Sequence, residues 1–205
     1  MVSKSLRQGE QTYCWQRAVR SGSVIAVSSP ARARVGAFCE KFMTTPTLHD
    51  SEVLRFCNGI SSEPLILVDV KPQAGLEPLN CHNNVDLVVA RFGGSVLKGW
   101  HITIWPKVFI EAECHVVWMK PDKSIIDPTP HIHGFMKIAF LPDRSLGEWD
   151  FPDNKNLPLA DDSMITDFLD CARQVRNQGG FGIARRSKKL LQQLVSRYGA
   201  EPVGG

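Results

Sequence analysis

Between residues 45 and 142 the chain alternates short apolar runs with turn residues, and the period of each run predicts an element. "HDSEVLRFCNGI" places Val53, Leu54, Phe56 and Cys57 after a candidate cap, Asp50, and before Gly59. That is the pattern of a short helix. "EPLILVDVKP" is an unbroken run of branched residues between prolines and predicts a buried strand. "CHNNVDLVVARFGG" sets Val85, Val88, Val89 and Phe92 at i, i+3, i+4 and i+7, one face of a helix. Asn83 or Asn84 suits its cap, Asp86 its first turn and Gly93-Gly94 its end. Cys81 therefore stands just before this helix or at its N-terminus.

Three strand patterns follow, "KGWHITIWP", "VFIEAECHVVWM" and "MKIAFLPD". In the first, Trp100, Ile102 and Ile104 alternate with His101, Thr103 and Trp105. In the second, Glu111, Glu113, His115 and Val117 share one face, and Ala112, Cys114, Val116 and Trp118 the other. "KPDK" is a turn signal, so "SIIDPTP" returns antiparallel. Residues 147–162 read as an irregular, Pro-rich connection. "SMITDFLDCARQVR" and "RRSKKLLQQLVSRYG" read as two helices around a Gly-rich break. Helix, strand, helix, antiparallel meander and closing helices make an α+β order.

Composition narrows this picture. The 205 residues suit one domain, and a hydrophobic share of 43% supports a sizeable core. No apolar run reaches the length of about 18 residues that a membrane helix needs, so no membrane partner is expected. The net charge of +3 is uneven. Lys4, Arg7, Arg17, Arg20, Arg32 and Arg34 face the single acid Glu10 in residues 1–36, and the remainder is mildly acidic. A nucleic-acid partner is therefore not favoured, and "RRSKKLLQQLVSR" reads as a solvated helix face. Residues 1–44 are expected to be a basic, weakly ordered extension, with a transit peptide as the lesser reading. Residues 45–150 form the α+β core, and 151–205 a helical extension of the same domain. The six cysteines (14, 39, 57, 81, 114 and 171) contain no Cys-x-x-Cys, which suits a reducing, cytoplasmic setting.

The candidate chemistry rests on three positions. Cys81 at a helix start would have its thiolate stabilised by backbone N–H groups and the positive end of the dipole. His115 on a strand would serve as the base, and Asp127, on the strand across the 119–124 turn, as its orienting group. N–H groups at the helix start would hold an oxyanion. Asn84, His82 and Trp100 are further candidates near oxyanion or substrate. Alternation puts Cys114 on the other face from His115, as a core residue, and lets His101 and Glu113 face the same cleft as His115.

A Cys at a helix start, then "HVVW", then "IIDPTP" resembles the papain-like thiol enzymes, and in particular their transglutaminase-like branch. "CHNNV", "GWHI" and "HVVW" are also similar to a group of uncharacterised bacterial proteins. The likeness spans roughly residues 64–142. It implies a papain/transglutaminase-like fold, a nucleophile-bearing helix packed on an antiparallel sheet with a helical C-terminus. It also implies nucleophile Cys81, general base His115 and orienting Asp127, with no cofactor. The substrate would be a peptide, a protein or a small acyl compound, in hydrolysis or transfer. Two departures stand out: His82 follows Cys81 where those enzymes place Trp, and Gln73 is the one upstream glutamine near the oxyanion position.

Two other readings remain open. One is a binding module without turnover. The other is a zinc protein using Cys81, His115, His131 and His133, with His82 as a further ligand. Outside the zinc reading, His131 and His133 flank the site or a solvated turn.

Overall fold

The computed structural model describes residues 42–132, 134–148 and 150–199. Cys14, Cys39, His133 and nearly all of the expected 1–44 extension lie outside the described residues.

The first helix, α1 (Ser51–Asn58), is capped as its sequence predicts. The Asp50 carboxylate accepts the backbone N–H groups of Glu52 and Val53 at 2.9 and 3.1 Å. Strand β1 (Ile66–Val70) follows, then α2 (Cys81–Phe92), β2 (Ser95–Trp105) and β3 (Phe109–Met119). After the turn come β4 (Ile125–Asp127), β5 (Lys137–Pro142) and β6 (Lys155–Pro158). Two helices, α3 (Ser163–Gln178) and α4 (Phe181–Tyr198), complete the order. The strand β6 corrects the expectation of an irregular connection over 147–162: it pairs with β3 through Ala112↔Lys155 to Phe109↔Pro158. β1 is also less buried than its composition suggests, with Leu67 exposed.

The strands run β2-β5-β1-β4-β3, and β3 pairs with β2 again over all eleven positions of β2. The sheet thus closes into a five-stranded barrel, with β6 added on the outside edge of β3. One pair, β1 with β4, is parallel. The papain/transglutaminase-like α+β fold, with its nucleophile-bearing helix packed on an antiparallel sheet, is therefore overturned. The physical reason lies in the second edge of β2. Alternation predicts a strand's faces, but it carries no information about which strand takes each edge, and here β5 and β3 take one each.

Closure gives the sheet one inner and one outer face. Register puts Leu97 opposite Val117, Val68 opposite Ile138, and both Ile66 and His101 opposite Phe140. Val68, Val70, Val117, Ile138 and Phe140 form one buried cluster from these positions. A barrel this narrow admits side chains and no helix, so this cluster is the interior. The other face is covered from outside. Val53 and Cys57 of α1 pack on Trp100, Ile102, Ala112 and Leu141. Val85 and Val88 of α2 pack on Val116 and Trp118. Phe168, Leu191 and Leu194 of the closing helices instead pack on Trp105 and Phe109, at the turn end of the β2–β3 hairpin.

Gly99 is required by this geometry. It lies opposite His115 on one side and Pro142 on the other. A Cβ at Gly99 would run into the Leu141 carbonyl and stand 2.8 Å from the Phe140 ring. The missing side chain lets the Phe140 ring pack there, 6.5 Å from the His115 ring.

Candidate active site

Three elements bring polar groups to one end of the barrel interior. β3 carries His115 on its inner face, buried, opposite Gly99. β4 ends at Asp127, which has no exposure. Pairing of Trp118 with Ile126 sets the register. Continued by one residue it puts Asp127 opposite Val117, so His115 is its diagonal neighbour on the same face. The two side chains meet there, with His115 Nε2 2.7 Å from Asp127 Oδ2.

β4 borders β3 only at Trp118 and Met119, and β6 only at residues 109–112. Among the described residues, 113–116 have no strand beside them on that edge. The start of α2 lies at this interval. Cys81, the first residue of α2, packs beside Val116, Trp118 and Ile126. Its thiol is near enough to raise the basicity of the His115 ring and to act electrostatically on Cys114. Asp127 occupies Nε2 of His115, so Nδ1 is the nitrogen left to meet the thiol.

Electrostatics follow from this packing. Burial by itself would lower the basicity of His115. The Cys81 sulfur and the Asp127 carboxylate, by charge and by hydrogen bond, outweigh it and hold His115 well above the usual histidine range. Burial likewise would raise the Asp127 carboxyl, but His115 and His131 keep it below the usual carboxylate range. Cys114 sits on the outer face, and burial is the main cause pushing its thiol up to about 11. Burial, with Lys98 and His115 adding repulsion, drives His82 down to about 4.

The remaining candidates fall into distinct places. Asn84 is buried, and its amide donates to the Glu77 carbonyl at 2.7 Å and to Thr129 Oγ1 at 3.3 Å. These bonds tie α2 to the loops before it and after β4. The His82 ring meets Phe151 edge-on at 4.6 Å, over which Lys98 Nζ lies at 4.9 Å. Trp100 points outward into the core under α1 and donates its indole N–H to Asp143 at 3.0 Å. The Gln73 side chain donates to the Lys71 carbonyl. Glu113 is exposed, whereas His101, opposite it in register, is buried.

His131 is the residue that pattern reasoning did not bring to the centre. Its Nε2 lies 2.8 Å from Asp127 Oδ2, the oxygen that also meets His115. The signal was present in "DPTPH", where two prolines restrict the path from Asp127 to a histidine four residues on. The rings of His101, His115 and His131 stand 5.5 to 5.8 Å apart, centre to centre. His101 is held neutral by burial and by its two imidazole neighbours, and its Nε2 has no hydrogen-bond partner among the described residues.

His115, Asp127 and His131 offer ligand atoms within 4.8 Å of one another, a set that can hold a metal ion. Two ligands of one tetrahedral zinc stand about 3.3 Å apart at zinc–ligand distances near 2.0–2.1 Å. The contacts of 2.7 and 2.8 Å are shorter and are those of hydrogen bonds. Among the described residues no helix is long and apolar enough to cross a membrane. Family models, curated proteins and solved structures offer no match to this chain.

Proposed function

We propose that the protein is a thiol-dependent acyl transferase or hydrolase acting on an amide, ester or thioester through Cys81, His115 and Asp127. The observation that carries this reading is the convergence of Cys81 and Asp127 on one imidazole, His115. An ionised carboxylate only accepts hydrogen bonds, so Asp127 selects the Nε2–H tautomer of His115 and leaves Nδ1 with its lone pair toward the thiol. The Cys81 proton passes to Nδ1, and the thiolate attacks the acyl carbon. N–H groups of the first turn of α2 have no partner within the helix, and Asn80 supplies no side-chain cap. They are available to the developing oxyanion. His115 then protonates the leaving group, which departs as acyl-Cys81 forms. Water or another acceptor, deprotonated by His115, releases the acyl group and restores the thiol. A peptide, a protein or a small acyl compound fits this chemistry, and the cytoplasm fits its need for a reduced thiol.

The test is alkylation of Cys81 by iodoacetamide from pH 5 to 10, followed by peptide mapping, in the wild type and in His115→Ala. At pH 6 the wild type should react about 10²-fold faster than an ordinary thiol, and His115→Ala should lose that advantage. Ordinary reactivity that ignores His115 would sink the triad and favour the binding module.

A further inference from the structure

The Asp127 carboxylate accepts three hydrogen bonds. Its Oδ2 takes Nε2 of His115 at 2.7 Å and Nε2 of His131 at 2.8 Å, and its Oδ1 takes the Thr129 N–H at 2.8 Å. Because the carboxylate only accepts, both imidazoles present Nε2–H to it. His131 is itself well fixed. Its ring meets those of His101 and Phe135 nearly at right angles, at 5.5 and 5.9 Å. Its carbonyl accepts the Gly134 N–H. Pro128 and Pro130 restrict the chain between Asp127 and His131. The segment from Asp127 to His131 thus closes on itself as a small rigid bracket.

We propose that His131 is the fourth member of the site, a positioning residue that acts through Asp127. This rests on the thiol-triad reading and names a component that the triad lacks. His115 gains and loses a proton in each half-reaction, so its own hold on Asp127 varies through the cycle. The Thr129 N–H and His131 Nε2 hold one oxygen each throughout. The carboxylate then keeps one orientation whichever state His115 is in, and His115 returns each time to the tautomer that offers Nδ1 to Cys81. His101, uncharged and packed against both rings, adds no positive charge that would oppose the imidazolium.

The experiment compares Cys81 alkylation profiles of His131→Leu and His131→Gln in the full chain. Gln keeps an N–H donor near the position of Nε2, and Leu removes it. His131→Leu should slow alkylation at pH 6 about fivefold to tenfold, a loss of about 1–1.4 kcal/mol. At pH 9.5, where any exposed thiol ionises, the rate should stay within about twofold, which separates this effect from misfolding. His131→Gln should restore the rate at pH 6 to within about twofold. In an Asp127→Asn background, His131→Leu should add less than about twofold, because its route runs through the carboxylate. In the wild type, nitrogen NMR should find both rings as Nε2–H tautomers above the pH at which His115 passes from imidazolium to neutral imidazole.

A wild-type profile for His131→Leu, with His115→Ala still impaired, overturns the proposal and leaves the triad standing. An undiminished loss in the Asp127→Asn background, or a His131 ring protonated only at Nδ1, overturns it as well. Full reactivity in His115→Ala overturns both readings.

Discussion

The two faces of β3 differ in chemistry although their residues alternate one by one. Outward, Ile110, Ala112 and Val116 have no exposure and pack beneath α1 and α2. Inward, His115 and His131 share the Asp127 carboxylate through hydrogen bonds. Cys114 and His115 are consecutive, yet burial keeps the first protonated and its partners keep the second charged. The outer face is stabilised by area removed from water, which tolerates changes of shape better than changes of polarity. The inner end depends on paired polar groups, where losing one partner strands the other.

A carboxylate forced onto the outer face would break the contrast most severely. Val116→Asp places an unpaired charge between α2 and β3 and should cost about 4 kcal/mol or more, read from urea denaturation. A retained midpoint would mean that water reaches that face.

The pH dependence of stability sharpens the contrast at smaller cost. His115 is raised in the folded state, so its contribution is complete below about pH 6.5 and is lost as pH rises through the folded value. Asp127 is lowered, so its contribution is complete above about pH 4 and is lost as pH falls through the folded value. The His115–Asp127 pair should therefore stabilise the fold most between about pH 4 and 6.5, while His101 and His82, held neutral by burial, oppose it as pH falls below about 6.5. Denaturation midpoints measured from pH 3 to 9 should flatten when His115→Gln and Asp127→Asn are combined. The outer face adds nothing in that range, since Cys114 titrates only near 11.

The smallest effect belongs to Cys114→Ala. It removes one partly buried sulfur and should cost about 1 kcal/mol, with Cys81 alkylation unchanged to within about twofold. A large change in Cys81 reactivity would show that its direct electrostatic coupling to Cys114 matters to the thiol.

Much of this was legible in the residues. The cap at Asp50, the helix starting at Cys81, the long hairpin of β2 and β3 and the closing helices follow from period and turn chemistry. So does the separation of Cys114 from His115, since alternation is local geometry. Cys81, His115 and Asp127 were singled out from their settings; His115 and Asp127 meet by a hydrogen bond, and Cys81 opens the helix that packs on β3. The β6 strand was hidden by its prolines and brevity. Trp100 was drawn toward the site by its aromatic character, although its own alternation put it on the face opposite His101. His131 read as peripheral because sequence distance from Asp127 says nothing about whether two prolines turn the chain back.

By itself, then, the sequence determined the elements, their inward and outward faces and the order of a thiol, an imidazole and a carboxylate along the chain. These depend on interactions within a few residues, which the local pattern records. Only the tertiary structure decided that the sheet closes, that β1 runs parallel to β4, and that one carboxylate oxygen is shared by His115 and His131. The first two depend on which edges pair, β1 with β4 across 57 residues of chain, and hydrophobic period carries no such address.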